Sequence, residues 1–161
     1  VGKTVVRLRY LAKTDTCLMA TGDRFSFPSR VHVMDGCLKT ATPKRRLTIS
    51  LPYEDLGLIP KLDVNSANMT IPASIASDGD YLYVAHGDKG PDARVRAEIS
   101  VYRLSDGRKL GWIVPGAETN NFSGAIDVNI AIQARARSDG SRVIVVEENG
   151  GGKAMVYHWR P

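Results

Sequence analysis

Ala76-Ser77-Asp78-Gly79-Asp80-Tyr81-Leu82-Tyr83-Val84-Ala85 places a small residue, a hydroxyl and an Asp-Gly pair ahead of a run of mostly β-forming apolar residues. The phrase has a copy on either side. Ala12-Lys13-Thr14-Asp15 precedes Cys17-Leu18-Met19-Ala20, and Ala136-Arg137-Ser138-Asp139-Gly140 precedes Val143-Ile144-Val145-Val146. The three Asp positions are 63 and 61 residues apart. Self-similarity at a fixed period marks one supersecondary unit used repeatedly. Asp and Gly supply the geometry of a tight hairpin turn, so each copy reads as strand, turn, strand.

The strand before each turn is of mixed character: Thr4 to Leu11, Met69 to Ala76 and Ile126 to Ala136. The strand after it is the most apolar of its copy, as a strand covered on both faces should be. A longer loop follows, over Thr21 to Ser29, His86 to Ala97 and Glu148 to Gly152, and then an alternating strand. Those third strands are Arg30 to Met34, Ile99 to Arg103 and Lys153 to Trp159, with the period of two that turns one face to a core. In the first two copies another turn, Asp35-Gly36 and Ser105-Asp106-Gly107, leads to a fourth strand, Arg46 to Pro52 and Lys109 to Pro115. Each ends at a proline, which cannot donate to a ladder and suits the end of an outer strand. The third copy has no fourth strand. No segment holds a helical period, and Tyr53 to Leu62 is too short and too rich in Pro and Gly for more than a turn of helix.

These readings define an all-β chain of about three four-stranded antiparallel units, over 4–52, 69–116 and 125–161, the last lacking its outer strand. The order Asp-Gly, Tyr81-Leu82-Tyr83-Val84-Ala85, loop, Ile99-Ser100-Val101-Tyr102, Asp106-Gly107, closing strand resembles a blade of the β-propellers of the NHL, lactonase-like and quinoprotein-like type. The resemblance implies an incomplete ring, because closed propellers carry typically four to eight blades. An isolated arc would leave sheet faces and edges open. The expectation is therefore a C-terminal piece of a longer protein, in line with a start at Val1-Gly2, or completion of the ring by further blades from the same or another chain. An open sandwich of about eleven strands is the competing architecture.

Hydrophobic and charged contents of 43% and 24% are those of an ordinary globular domain. No apolar run reaches the length of a transmembrane helix. The net charge of +5 is dispersed, with Lys44-Arg45-Arg46 the only compact run. Charge of this kind does not make a phosphate track, so nucleic acid is not the expected partner. Cys17 and Cys37 fall on what read as neighbouring strands. Spacing alone leaves open whether they are bonded or are two buried thiols. The Asn-X-Ser/Thr triplets at Asn68 and Asn121 matter only in a glycosylating host.

Candidate ligand-binding residues gather in three places. The loop His86 to Arg94 holds His86, Asp88, Asp92 and Arg94, a composition suited to a polar ligand or calcium and equally to a solvated turn. Asn120 and Asn121, beside Phe122, form an amide-rich segment of a kind that can bind sugars and that also makes ordinary turns. Glu147 and Glu148 end an apolar strand; being adjacent, they face opposite ways and are no acid/base pair. Trp112 and Trp159, on strands, are expected to pack cores or neighbouring blades. His32 and His158 read as strand-face residues. No nucleophile elbow, phosphate loop or zinc motif occurs. No cofactor and no catalytic residue is assigned.

The functional expectation is a non-enzymatic binding or scaffold module presenting loops to a protein or glycan partner. The alternative is part of a propeller enzyme, a lactonase-like hydrolase or quinoprotein-like dehydrogenase, completed by other blades. The resemblance also implies a location outside the cytoplasm.

Overall fold

A computed structural model describes residues 4–22, 28–51, 70–89, 94–113, 122–123, 131–147 and 154–161. Everything regular in them is β-structure. The first sheet is β1 (Thr4–Leu11), β2 (Thr16–Gly22), β3 (Pro28–Asp35) and β4 (Lys44–Ser50), paired in that order. The second is β5 (Thr70–Ser77), β6 (Tyr81–Lys89), β7 (Arg94–Arg103) and β8 (Lys109–Ile113), with a two-residue strand, β9 (Phe122–Ser123), on β7. The third is β10 (Ala131–Ala136), β11 (Arg142–Glu147) and β12 (Ala154–Trp159). All pairings among the described residues are antiparallel, and all but that of β9 with β7 join consecutive strands. The repeat read from the sequence is thus three separate sheets.

The sheets stack, and alternation along β6 shows how. Leu82 and Val84 are fully buried in one core together with Ile75, Tyr102 and Leu104, against Leu18, Ala20, Val31, Val33 and Ile49 of the first sheet. Tyr83 and Ala85 enter a second core with Ala76, Ile99 and Val101, against Ile132, Ile144 and Val146 of the third. Successive side chains of a strand point to opposite faces, so the middle sheet is sealed on both. At the leading edges, β5 lies between β1 and β10. The outer sheets bury one face each. On the other, the first sheet carries Leu8 and Tyr10, 60% and 41% exposed, and the third carries Val156, 56% exposed.

The repeated aspartates close the first hairpin of each sheet, in two ways. Asp78 Oδ1 accepts the N–H groups of Asp80 and Tyr81. Asp139 Oδ1 accepts the N–H and hydroxyl of Ser141. In both, the next residue is a glycine in the left-handed region, Gly79 and Gly140. The first copy has no such glycine, and Asp15 takes the left-handed conformation itself, with φ of 50°. Its carboxylate reaches instead to the β3–β4 turn, accepting the N–H groups of Leu38 and Lys39 at 3.0 and 3.1 Å. Cys37 lies in that turn, not on a strand, and is disulfide-bonded to Cys17. The covalent link and the Asp15 bonds fasten the same turn.

These turns set a pH dependence. Hydrogen bonds from the Ser141 hydroxyl and N–H hold the Asp139 carboxyl below its usual range. The Arg108 N–H does the same for Asp106. Around Asp15 desolvation pushes upward, but the Leu38 N–H, the Tyr10 hydroxyl and the Lys39 N–H together outweigh it. A depressed carboxyl means that the unfolded chain binds more protons, so the stability is present above the ordinary value of 3.8 and is lost as pH falls through the folded values. Thermal unfolding should show a melting temperature that drops on acidification below about pH 4. A melting temperature that rose over that range would contradict the assignment.

Candidate functional site

Where the first hairpins turn, residues of one copy reach those of the copy before. Arg142, opening β11, extends into the turn of the second sheet. Its Nη2 donates to Asp80 Oδ2 at 2.9 Å, and its Nη1 to Gly140 O at 2.7 Å. Its Nε lies 2.8 Å from Asp78 Oδ2, off the N–H direction, as an ion pair rather than a directed hydrogen bond. The Asp78 side chain is wholly buried and that of Arg142 is 9% exposed. Tyr83 also donates its hydroxyl to Asp78 Oδ2, at 2.7 Å. Burial and that carboxylate push the phenol well above the ordinary tyrosine range. The Arg142 guanidinium stands 5.4 Å over the Tyr81 ring. Trp159 of β12 meets Tyr81 and Tyr83 edge-on, with ring centroids at 5.0 and 6.0 Å. Trp159 therefore packs one sheet on its neighbour, the role expected of a strand tryptophan. Between the first two sheets the counterpart is lighter, with Arg9 Nε donating to Ile75 O at 3.3 Å.

On the other side of Asp80 and Tyr81, a cleft of about 580 Å3 opens between the first and second sheets. Thr16, Asp35 and Arg46 line it from the first sheet, and Arg103 and Ser105 join Asp80 and Tyr81 from the second. The Asp35 carboxylate accepts the Thr16 hydroxyl at 3.2 Å and pairs with Arg46 Nε at 3.4 Å. Arg103 pairs with Asp106 at 3.1 Å. The cleft thus presents carboxylates and guanidiniums in balanced pairs that are set in place before any ligand arrives.

The residues singled out from the sequence lie elsewhere. His86 and Asp88 are not in a loop: β6 runs on through Lys89, and β7 begins at Arg94. In the ladder His86 stands opposite Pro72 and Glu98, Asp88 opposite Thr70 and Arg96, and Arg94 opposite Ser123. Glu147 ends β11, between Ala131 and Ala154. Asp92, Asn120, Asn121 and Glu148 lie outside the described residues, as do the triplet asparagines Asn68 and Asn121 and the segment Tyr53 to Leu62. His32 bridges two strand-face threonines, with Nε2 3.2 Å from Thr21 Oγ1 and Nδ1 2.9 Å from Thr48 Oγ1. Among the described residues no three His, Cys, Asp or Glu side chains converge as a metal set. No helix of the described residues is long and apolar enough to cross a membrane.

The cleft escaped the sequence reading because its residues come from the first and second copies and from six strands and three turns. One signal did exist. Superposing the copies on their turn aspartates sets Ser141-Arg142 against Asp80-Tyr81, so the third copy carries a guanidinium where the second carries an aromatic ring.

No family model matches the chain, and no curated protein matches it. Among solved structures it is similar to the tail fiber of Staphylococcus aureus phage P68, with a TM-score of 0.52 at 16% identity. The match covers 94% of this chain and 27% of that one, so the chain spans about a quarter of the neighbour's length. At this identity the likeness is one of fold.

Proposed function

We propose that the chain is a non-enzymatic binding or scaffold module: an arc of propeller-like blades that presents its turns to a protein or glycan partner. The observation that carries this is the contrast between its sheets. The middle one is sealed on both faces by sheets of its own kind, while the outer two each leave a face with exposed apolar side chains. On these faces Leu8, Tyr10 and Val156 stand among polar residues such as His32 and His158, a mixed surface that another sheet of the same kind can cover. Further blades, from the same or another chain, are its natural occupant, and for this chain in isolation the occupant is a second copy. Likeness of fold to a phage tail fiber supports a structural, partner-engaging role. The Cys17–Cys37 disulfide fits an oxidising compartment outside the cytoplasm.

The native mass in solution tests the reading. Light scattering is expected to give a multiple of the 17.5 kDa chain. Val156→Asp, which puts a charge on the outer face of the third sheet, should return the particle to a folded monomer. A wild-type chain that stays monomeric at all concentrations would overturn the assembly.

A further inference from the structure

The geometry points to the cleft between the first two sheets as a binding site for a neutral saccharide. The inference rests on the binding-module reading and names the ligand class for one site of that module.

Charge balance is the first argument. Asp35 and Asp80 face the cleft together with Arg46 and Arg103. An anion such as phosphate would meet two carboxylates there, and a divalent cation would meet two guanidiniums. A ligand that is uncharged but rich in hydroxyls suffers neither repulsion. Each of its hydroxyls can donate to a carboxylate and accept from a guanidinium at once, the two capacities those groups offer.

The second argument is preorganisation. Asp35 is held by Thr16 and Arg46, Arg103 by Asp106, and Asp80 by Arg142 from the third sheet. Groups fixed in advance lose little freedom on binding. The Arg46, Asp35, Arg103 and Asp106 side chains are 42–45% exposed, so they can exchange water for ligand hydroxyls.

Shape is the third. Leu11 and Leu104, aliphatic members of the first core, border these polar groups, while the Tyr81 ring is turned to Arg142 and Trp159 of the third sheet. A sugar has the matching mixture of C–H faces and hydroxyl edges. The volume of about 580 Å3 falls within the range of about 300–1,000 Å3 of small-molecule sites.

Titration of the intact chain with maltose, cellobiose, lactose and chitobiose, followed by NMR, tests this, with inorganic phosphate and calcium chloride as competing probes. At least one disaccharide should perturb the Thr16, Tyr81 and Ser105 resonances, with a dissociation constant on the order of 1 mM or tighter. Asp35→Asn and Arg103→Gln should each weaken it by about tenfold or more. Arg160→Ala, at a residue that does not line the cleft and pairs with Asp139, should leave it unchanged. Silence of these resonances with all four sugars, or their perturbation by phosphate or calcium instead, would overturn the assignment. Light scattering on the same samples keeps the two readings apart. Multimers without sugar binding sink only the saccharide site, and sugar binding to a monomer sinks only the assembly. Recovery of the sugar unchanged is expected, and its hydrolysis would overturn both the non-enzymatic reading and a purely binding role for the cleft.

Discussion

Arg142→Met is expected to be among the most damaging single substitutions in the chain, lowering stability by about 3 kcal/mol or more. Removing one member of a buried ion pair typically costs about 3–5 kcal/mol, because the remaining charge stays in the interior without compensation. Here that charge is Asp78, whose side chain is fully buried. It would keep the Asp80 and Tyr81 N–H groups and the Tyr83 hydroxyl, which places the loss toward the lower end of the range. The cation over the Tyr81 ring would go as well. For a domain of this size each kcal/mol is worth roughly 2–4 °C, so the melting temperature should fall on the order of 10 °C. A drop of only a degree or two would mean that Asp78 is solvated after all.

The second large effect concerns the disulfide. Cys17→Ala with Cys37→Ala should cost about 3 kcal/mol, the value for closing a loop of this length; the bridged residues are 20 apart. The loss should be local in origin. Asp15 would still hold Leu38 and Lys39, so the β3–β4 turn should stay in place while unfolding becomes easier. Denaturant titration of the double variant and of the reduced wild type measures it, and the two should agree. Indifference of stability to reduction would show that the unfolded chain gains little freedom from an open loop.

Architecture is the most legible part of the sequence. Asp15, Asp78 and Asp139 mark hairpins because the turn chemistry of Asp, with Gly beside it in the second and third copies, is local, and Tyr81 to Ala85 marks a strand because both its faces are apolar. Polarity misleads. Gly87, Asp88 and Lys89 have the composition of a turn, yet they continue β6 opposite Ala97, Arg96 and Val95. A long ladder overrides the weak preference of single residues. Cys37 reads as a strand residue because Asp35-Gly36 alone marks the turn, whereas the turn runs on until β4 begins at Lys44. The competing single sandwich fails on the middle sheet, whose β6 divides its side chains between two cores.

The cleft and the Arg142 contacts lie beyond sequence reading because they depend on which copies become neighbours. Arg142 and Asp80 are 62 residues apart, one repeat, and nothing local to either marks them as partners. The period gives such a pairing its physical basis, since an arginine near the turn of one copy meets the turn of the copy before it.

A double-mutant cycle on Asp78→Asn and Arg142→Met tests most directly whether successive repeats are fastened turn to turn. The carboxamide introduced by Asp78→Asn can still accept the turn N–H groups, so the cycle isolates the link between sheets. The stacked arrangement demands that the two losses fall short of adding by about 1–3 kcal/mol, the coupling of residues in contact. Losses that simply summed would mean the second and third sheets do not meet at this point, and the stack described here would be wrong.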